Sequence, residues 1–429
     1  MNKTIAVFGM GRVGLPLALA FAERGCRVVG VDVDDKRLAT LNQKRMPFME
    51  EGAQPLLEKH IGRALTVTTN ARSAVATADI LILTLGTPVD DHVNPVLGQL
   101  ETAISEIVPY LRQGQLIVLR STVFPGTTEY LARYLEKNSS LRVGDSIYLA
   151  CCPERIAEGK SVEELAVIPQ IVGTLDPKSA ESASEVFRLI TSKILVADAR
   201  SAELAKLFCN MYRYIDFAVA NEFMMIAQRH ERDIYEILRL ANTDYKRGGL
   251  KQPGFTAGPC MYKDGFFLTS SVPYVELISM AWKINETVPA FLIDGLREHV
   301  ELEGAKVALL GLSFKKNIDD PRDSLAYKAK KILQRLGARV HLHDPYLASN
   351  NLDDALADAD AVLIAMNHDY YKTADLARLL GKTKPSCVVA DIWNMLGTGK
   401  VVFPRSLLAP KAAPVPTTRR AGGNGRKAK

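Results

Sequence analysis

Cys260, in the stretch GFTAGPCMYKD at residues 254–264, is a candidate nucleophile in this chain of 429 residues. It follows a Gly-Pro pair, which predicts a loop, and it precedes an acidic residue, Asp264, by four positions. A thiol is reactive only where its surroundings favour the thiolate, and otherwise behaves as a small apolar residue. Taken alone, the stretch therefore favours a packing role for Cys260.

A glycine-rich turn near the start of the chain predicts a dinucleotide site. The strand-like run TIAVF leads into GMGRVG, in which Gly9, Gly11 and Gly14 have the GxGxxG spacing, and a helical pattern follows. The first glycine allows a tight bend, the second lets a pyrophosphate approach the backbone, and the third allows close packing of helix and strand. The helix N-terminus would face the phosphate charge. We expect NAD at this turn, with Val13 among its contacts.

Asp32 completes the predicted cofactor site. It ends the second predicted strand, 23 residues after Gly9, where a carboxylate can accept hydrogen bonds from both ribose hydroxyls. Its charge would repel a 2′-phosphate, so NAD is favoured over NADP. The nearby cations of Lys36 and Arg37 leave NADP open, and Arg37 is a further candidate contact for the cofactor.

Strand-like and helical patterns alternate at both ends of the chain, which predicts an α/β fold. Apolar runs such as ADILILTLGTP and QLIVLRSTV are expected of parallel strands covered on both faces. Residues 201–242 contain no Gly or Pro and repeat apolar positions at helical spacing. We predict two Rossmann-like, doubly wound parallel-sheet domains joined by a long helical spine. The predicted boundaries are 1–200, 201–301 and 302–403, followed by a tail at 404–429.

Composition and charge exclude several classes of protein. An apolar content of 47% with 24% charged residues is typical of a soluble globular protein, and no run reaches the roughly 18 apolar residues of a membrane span. The strand-like pattern begins after four residues, which leaves no room for a secretory signal. The last 26 residues hold seven Lys or Arg and no acid, and without them 47 basic residues face 48 acidic ones. We therefore predict a disordered basic tail and neither a nucleic-acid nor a membrane partner.

The remaining cysteines and the histidines are predicted to be structural. Six cysteines without a CxxC pair fit the reduced cytoplasm rather than a disulfide framework or a zinc site. The seven histidines lack ligand spacing, so no metal is expected. Burial as packing residues is expected of the other cysteines, namely Cys26, Cys151, Cys152, Cys209 and Cys387.

Six motifs, taken in order, resemble those of the UDP-glucose/GDP-mannose dehydrogenase family, the nucleotide-sugar 6-dehydrogenases. The motifs are LGTPVD (85–90), RSTVFPGT (120–127), PERIAEG (153–159), AELAKLFCNMYR (202–213), GFTAGPCMYKD (254–264) and GLSFKKNIDDPRDS (311–324). The resemblance covers residues from about 4 to 400. It implies oxidation of the C6 hydroxyl of a nucleotide-linked hexose to a carboxylate, with two NAD⁺ and a cysteine thioester, to supply polysaccharide precursors. It also implies that the second α/β domain binds the UDP-sugar.

By this resemblance Cys260 is the nucleophile of the second oxidation. Lys206 and Asn210 match the family's helix motif, and an i, i+4 pair can point into one site. Lys206 would stabilise the developing oxyanion, Asn210 would assist by hydrogen bonding, and both would contact the substrate. Asp264 matches the acid four residues after the cysteine and would help to activate water.

Further site residues follow from the other motifs. Thr122 and Glu158 match residues that position a catalytic water, and Thr122 also lies where the cofactor is expected. Glu154 matches a second active-site glutamate that contacts the substrate.

Ligand contacts are carried over in the same way. Thr87 and Arg322 match residues at the cofactor, and Lys315 matches a lysine that contacts the diphosphate or sugar. Arg247 best matches an arginine that reaches the sugar nucleotide across a dimer, although Lys246 is an alternative. A homodimer is therefore expected.

The loop before the nucleophile departs from the family pattern. Many relatives have a glycine pair immediately before the cysteine or one residue earlier, whereas here Gly258 and Pro259 precede Cys260. Proline removes one N–H donor and is expected to push Gly258 toward extended backbone, giving a stiffer loop. PERIAEG favours the UDP-N-acetylhexosamine branch, with UDP-N-acetylmannosamine slightly ahead, while UDP-glucose and GDP-mannose stay open.

Two other functions remain possible at this point. A two-electron β-hydroxyacid dehydrogenase can share a dinucleotide domain and a helical middle, but it needs neither Cys260 nor a second α/β domain. A non-catalytic protein that binds NAD or a sugar nucleotide is the other, and the joint presence of Lys206, Asn210, Cys260 and Asp264 argues against it.

Overall fold

Two helix-covered sheets, joined by a helical middle segment, make up the computed structural model of the chain. It describes residues 3–87, 89–90, 96, 98–269, 272 and 275–408. Strands with continuous apolar sequences are buried over their whole length, as in ILIL at Ile80–Leu83 and LIVL at Leu116–Leu119. Such burial is expected of parallel strands covered by helices on both faces.

The first sheet has eight strands in the described part of the chain, ordered β3-β2-β1-β4-β5-β6-β7-β8. Its first six strands have the dinucleotide-binding order, and adjacent strands are parallel except for the β6–β7 pair. The strands are β1 Thr4–Phe8, β2 Arg27–Val31, β3 Leu65–Thr68, β4 Ile80–Leu83, β5 Leu116–Leu119, β6 Tyr148–Cys151, β7 Gln170–Thr174 and β8 Ile194–Asp198. The helices are α1 Gly14–Glu23, α2 Asp35–Asn42, α3 Ala53–His60, α4 Ala71–Thr77, α5 Gly98–Ile107, α6 Thr127–Asn138, α7 Ser161–Val167 and α8 Pro177–Phe187.

The predicted helical spine is divided into several helices in the described part of the chain. Its helices are α9 Ala199–Arg229, α10 Ile234–Asn242, α11 Met261–Thr269 and α12 Glu276–Arg297. The chain turns between α9 and α10, where Glu231 has a φ of +54°. The side chain of Asp233 then accepts hydrogen bonds from the N–H groups of Tyr235 and Glu236 and caps α10. The long helix α9 therefore ends at a turn that contains neither Gly nor Pro, and Asp233 starts the next helix.

The second sheet has five strands among the residues described, in the order β10-β9-β11-β12-β13. Its pairs are parallel except for β12–β13. The strands are β9 Lys306–Leu310, β10 Arg339–His343, β11 Ala361–Ile364, β12 Val388–Asp391 and β13 Val402–Pro404, and the helices are α13 Leu325–Arg335, α14 Leu352–Leu356, α15 Asp369–Thr373 and α16 Leu376–Leu379. The fold is thus two Rossmann-like sheets, each with one antiparallel pair of strands.

The start of the predicted basic tail is folded. Pro404 ends β13, and Arg405–Leu407 forms a short 3-10 helix in which the guanidinium of Arg405 donates to backbone carbonyls. The rest of the predicted tail, residues 409–429, lies outside the described residues. None of the helices in the described ranges is long and apolar enough to cross a membrane.

A buried pair of amides joins the two long helices of the middle segment. Nδ2 of Asn221 in α9 donates to Oδ1 of Asn285 in α12 at 2.8 Å, and Nδ2 of Asn285 donates to the carbonyl of Tyr214 at 3.1 Å. Oδ1 of Asn221 accepts the N–H of Gly254, in the loop before Cys260, at 2.9 Å. Both asparagines are fully buried. The pair therefore ties the loop of the candidate nucleophile to the helical core.

Replacing Asn285 with Ala should destabilise the protein. The buried Nδ2 of Asn221 would lose its acceptor, which we expect to lower the free energy of unfolding by about 1–3 kcal/mol. Chemical denaturation measures the loss. Thr287→Ala, at an exposed position of the same helix, should change the value by less than about 0.5 kcal/mol. Equal effects of the two variants would contradict the role of the amide pair.

Candidate active site

The glycine-rich turn after β1 has the geometry of a phosphate cradle. Gly9 has a φ of +98° and donates its N–H to the carbonyl of Val31 at 2.7 Å. A Cβ on Gly14 would lie 1.8 Å from the carbonyl oxygen of Gly9, whereas a Cβ on Gly11 would meet nothing within 4 Å. Val13 is the N-cap of α1, and no side chain caps this helix. Free backbone donors beside open space at Gly11 therefore fit the pyrophosphate of a dinucleotide.

Asp32, at the end of β2, is held by three hydrogen bonds. Its carboxylate accepts the N–H of Met10 at 2.7 Å, the N–H of Asp34 at 2.9 Å and Nη1 of Arg37 at 2.7 Å. Arg37 was predicted from the sequence to contact the cofactor, and its ion pair with Asp32 was missed. The pairing fixes the carboxylate at the edge of the sheet where the ribose is expected.

Cys260 lies directly before α11, beside residues from α9. The N–H of Asp264 donates to the carbonyl of Cys260 at 3.0 Å, so the cysteine starts the first helical turn. Nδ2 of Asn210 in α9 donates to Oδ2 of the fully buried Asp264 at 2.6 Å. Lys206, one turn earlier in α9, is also buried. The structure thus brings together four of the residues predicted from separate motifs.

A second set of contacts extends this cluster to the first sheet. Nζ of Lys263 lies 3.2 Å from Oδ1 of Asp264 and 3.2 Å from Oγ1 of Thr87, and 4.4 Å from the ring centre of Phe267. The hydroxyl of Thr87 donates to the carbonyl of Thr122 at 2.5 Å. Thr87 and Thr122 follow β4 and β5, so the loops at these strand ends meet the start of α11.

The pKa of the Cys260 thiol is raised, although the residue is solvent-exposed. Desolvation by the surrounding protein is the main cause, and the carboxylate of Asp264 adds to it, whereas the ammonium groups of Lys206 and Lys263 lower the pKa. The thiol is therefore the favoured form in the absence of ligand, with cations at hand to stabilise negative charge that develops near it.

Glu158 lies at the contact between the first domain and the loop after β9. Its Oε1 is 2.9 Å from Nη1 of Arg12, and its backbone carbonyl accepts a hydrogen bond from Nζ of Lys315. Desolvation raises the pKa of Glu158 to about 7; Arg12 lowers it, and Asp320 raises it. Desolvation also lowers the pKa of Lys315. These two predicted residues, from different domains, share one site.

Three other predicted residues make their closest polar contacts outside the Cys260 cluster. Glu154 is buried in an ion pair with Arg120. Arg322 holds the carboxylate of Asp320, with Nη2 and Oδ2 2.5 Å apart, and its side chain is more than half exposed at the domain contact. Arg247 donates through Nε to the hydroxyl of Tyr245 at 3.0 Å, in the loop after α10.

Two expectations about the cysteines and their loop are wrong. Cys26, Cys151, Cys152 and Cys387 are buried, but Cys209 is exposed because it lies on the outer side of α9, next to Asn210 on the inner side. Gly258 has a φ of +109° rather than the negative φ of ordinary extended backbone. A Cβ at this glycine would lie 2.4 Å from the ring of Phe314, so the turn before Pro259 requires glycine.

Sequence analysis missed three charged residues of the site. Lys263 gave a usable signal, since it lies beside Asp264 and one helical turn after Cys260. Arg12 and Asp320 gave none, because their partners are far away in the sequence. The guanidinium of Arg12 is 3.4 Å from Asp320, which lies in the second α/β domain.

Comparison with known proteins accounts for almost the whole chain. Residues 3–191, 200–287 and 308–398 match the NAD binding domain, the central domain and the UDP binding domain of the UDP-glucose/GDP-mannose dehydrogenase family. The UDP-N-acetyl-D-mannosamine dehydrogenase of Methanocaldococcus jannaschii is 33% identical, over 92% of this chain and 93% of the relative. The NDP-N-acetyl-D-galactosaminuronic acid dehydrogenase of Ralstonia nicotianae is 31% identical, over 93% of this chain and 97% of the relative.

A solved structure agrees with the sequence comparisons. The UDP-D-ManNAc dehydrogenase from Pyrococcus horikoshii superposes with a TM-score of 0.84 at 31% identity and covers 89% of this chain and 93% of its own. The predicted fold class, the NAD cofactor and the resemblance to the family are thereby confirmed. The chain belongs to the UDP-glucose/GDP-mannose dehydrogenase family and is an NAD-dependent nucleotide-sugar dehydrogenase.

Proposed function

We propose that the protein oxidises the C6 hydroxyl of a UDP-N-acetylhexosamine to the uronate, in two steps and through a thioester on Cys260. The observation that carries this proposal is the 2.6 Å hydrogen bond between Asn210 and Asp264, which joins the helix of Lys206 to the helix that directly follows Cys260. A nucleophile, a cation and an amide donor beside it are the groups that the second oxidation needs.

The proposed reaction removes four electrons from C6 in two hydride transfers. When bound, NAD⁺ accepts one hydride from C6 in each of two oxidations. The first oxidation releases the hydroxyl proton and leaves an aldehyde. The Sγ of Cys260 then bonds to the aldehyde carbon while the thiol proton goes to the aldehyde oxygen, giving a thiohemiacetal. Loss of the second hydride and of the hydroxyl proton gives the thioester, and water cleaves its C–S bond to release the carboxylate and the thiol.

Each polar group near Cys260 has a role in this sequence. The buried ammonium of Lys206 would stabilise negative charge on the C6 oxygen, with Asn210 as a hydrogen-bond donor. Because the pKa of Cys260 is raised, proton loss from sulfur would accompany its addition to the aldehyde. Asp264 would hold Lys263 and Asn210 in place, and Thr122 and Glu158 would orient the attacking water, with Glu158 as its base.

The substrate is assigned from charge and from the names of relatives. Lys315 lies in the loop after β9, at the contact between the two α/β domains, where a cation fits the diphosphate of a UDP-sugar. Two of the similar proteins above are named for UDP-N-acetyl-D-mannosamine and the third for an NDP-linked N-acetyl-D-galactosaminuronic acid. We therefore favour UDP-N-acetylmannosamine, with the uronate serving as a precursor of polysaccharides in the cytoplasm.

A homodimer is part of the proposal because α9 carries an exposed apolar stripe. Phe208, Tyr212, Phe223 and Ile226 follow one another at spacings of four, eleven and three residues, which place them on one face of this helix, and they are at least 40% exposed. A second copy would cover this stripe. Dimerisation would also bring Arg247 to the partner's sugar nucleotide, a role suggested by its place in the family motif.

A two-electron oxidation that stops at the aldehyde is the second candidate function. The raised pKa of Cys260 favours it, since a protonated thiol is a poor nucleophile. The two functions differ in stoichiometry, because only the four-electron reaction gives two NADH for each sugar nucleotide. A panel of UDP-N-acetylmannosamine, UDP-N-acetylglucosamine, UDP-N-acetylgalactosamine, UDP-glucose and GDP-mannose, with NADH and uronate both measured, tests the proposal.

Cys260→Ala should lower uronate formation by about a thousandfold or more, because the aldehyde could no longer form the thiohemiacetal that undergoes the second oxidation. Chromatography of the UDP-sugar products, alongside NADH absorbance, measures the loss. Cys209→Ala, which removes an exposed thiol of α9, is the matched control and should keep the wild-type rate. Uronate formation at the normal rate by the Cys260 variant would contradict the thioester.

Asp32→Asn should weaken the preference for NAD⁺ over NADP⁺ by about tenfold or more, because it removes a charge that repels the 2′-phosphate and the closer of the two carboxylates that pair with Arg37. The ratio of kcat/KM for the two cofactors measures this preference. Asp35→Asn, at an exposed position in the first turn of α2, should leave the ratio unchanged. An unaltered ratio in the Asp32 variant would remove this carboxylate from the specificity site.

A further inference from the structure

Arg12 belongs to the turn that binds the dinucleotide, yet its side chain leaves the first domain. It follows Gly11 directly, and its Nη2 lies 2.9 Å from Oδ1 of Asp319 and donates to the Asp319 carbonyl at 3.1 Å. Its guanidinium lies 4.9 Å from the ring centre of Phe48. The side chain is 16% exposed, so most of its surface is covered by these contacts. The phosphate-binding turn thus reaches the loop after β9 in the second α/β domain.

Asp319 is anchored to the first domain twice. Besides the Arg12 contacts, its carboxylate oxygens accept the N–H of Met49 at 3.1 and 3.2 Å. Arg12 and Met49 lie in separate loops of the first domain, so the carboxylate fixes both of them against one point of the second. Two charge-assisted contacts to Asp319 restrict how the Arg12 guanidinium can rotate, and the two hydrogen bonds from Met49 hold the Asp319 carboxylate in place.

The same guanidinium contacts Glu158 through its other end. Nη1 of Arg12 is 2.9 Å from Oε1 of Glu158, and Nε is 3.4 Å from Oδ2 of the buried Asp320. Titratable groups from three elements face Glu158. Arg12 lies in the dinucleotide turn, and Asp320, Arg322 and Lys315 lie in the loop after β9. Cys260 lies directly before α11. Arg322 is committed to Asp320 by three hydrogen bonds from its guanidinium. Arg12 is therefore the cation in direct contact with the Glu158 carboxylate.

We propose that Arg12 is a positioning residue that fixes the Glu158 carboxylate for the hydrolysis step. Hydrogen bonds to Asp319 hold the Arg12 guanidinium in place. The turn that binds the cofactor then also builds the end of the active site that activates water. This inference rests on the proposed function, because it takes Glu158 as the base for water. It assigns Arg12 no contact with the reacting atoms.

The pH dependence of uronate release tests the assignment. Glu158 must be ionised to act as a base, so release in the wild type should rise with pH through about 7, where its pKa lies. Arg12 lowers that pKa, and loss of an adjacent opposite charge commonly raises a carboxyl pKa by about one unit or more. Arg12→Gln should therefore move the pH at which uronate release rises to a value about one unit higher. Below pH 7 the rate of release should then be about tenfold lower than in the wild type.

The rate of uronate release is measured at each pH in single-turnover reactions that are stopped by rapid quenching. NAD⁺ is saturating, and the substrate is the UDP-sugar of the panel that the wild type oxidises fastest. Arg12→Lys keeps the charge but cannot span Glu158 and Asp319 together, so it should shift the rise in the same direction by a smaller amount. If the Gln variant does not fold, the Lys variant decides. An unshifted rise in every folded Arg12 variant would overturn the proposal.

Asp319→Asn is the matched control for domain contact. It loosens the hold on Arg12 but leaves the guanidinium charge near Glu158, so we expect the KM for the UDP-sugar to rise and the pH of the rise to move by less than it does in Arg12→Gln. If this variant shifted the pH of uronate release as much as Arg12→Gln does, the arrangement of the domains, and not the Arg12–Glu158 contact, would set the ionisation of Glu158. That result would overturn the proposal. A wild type that makes no uronate from any UDP-sugar would refute the proposed function instead, before any variant is compared.

Discussion

The buried carboxylate of Asp264 is the constraint on which the candidate active site depends. A fully buried carboxylate is costly unless hydrogen-bond donors or cations surround it. Asn210 and Lys263 meet that need, at 2.6 and 3.2 Å. Because Asn210 belongs to α9 and Asp264 to α11, satisfying the carboxylate fixes the two helices against each other. Cys260 and Lys206 are then held close enough for the ammonium group to lower the pKa of the thiol.

The two α/β domains bring their loops to the candidate active site from different sheets. The turns after β1 and β9 each require glycine: Gly9 has a φ of +98° and Gly311 a φ of +84°. A Cβ on Gly311 would also lie 2.6 Å from Met366. In open α/β sheets ligands bind beyond the carboxyl ends of the strands. With one such edge for the dinucleotide and one for the UDP-sugar, the helical middle only has to supply the reactive groups between them.

Local sequence predicted much of this architecture, and long-range pairing is where it failed. The GxGxxG spacing, Asp32 and the apolar strand runs are local signals, so the first sheet and its cofactor turn could be predicted. The resemblance to a family gave the residues around Cys260, which no local pattern distinguishes from a turn. The turn at Glu231, the exposure of Cys209 and the contacts of Arg12 could not be predicted. Each depends on which helix face is covered or on partners in a distant loop.

The proposed reaction depends on a covalent intermediate on Cys260. Trapping this intermediate is the most direct test of the reaction. Glu158→Gln removes the proposed base for water while leaving the thiol intact, so the thioester should accumulate when NAD⁺ and the preferred UDP-sugar are added. Mass spectrometry of the intact protein and of the peptide that contains Cys260 detects it. The account predicts a stoichiometric adduct with the mass of the UDP-uronyl group on that peptide, formed together with two NADH per active site. Two NADH per active site and free uronate without any adduct on Cys260 would contradict it.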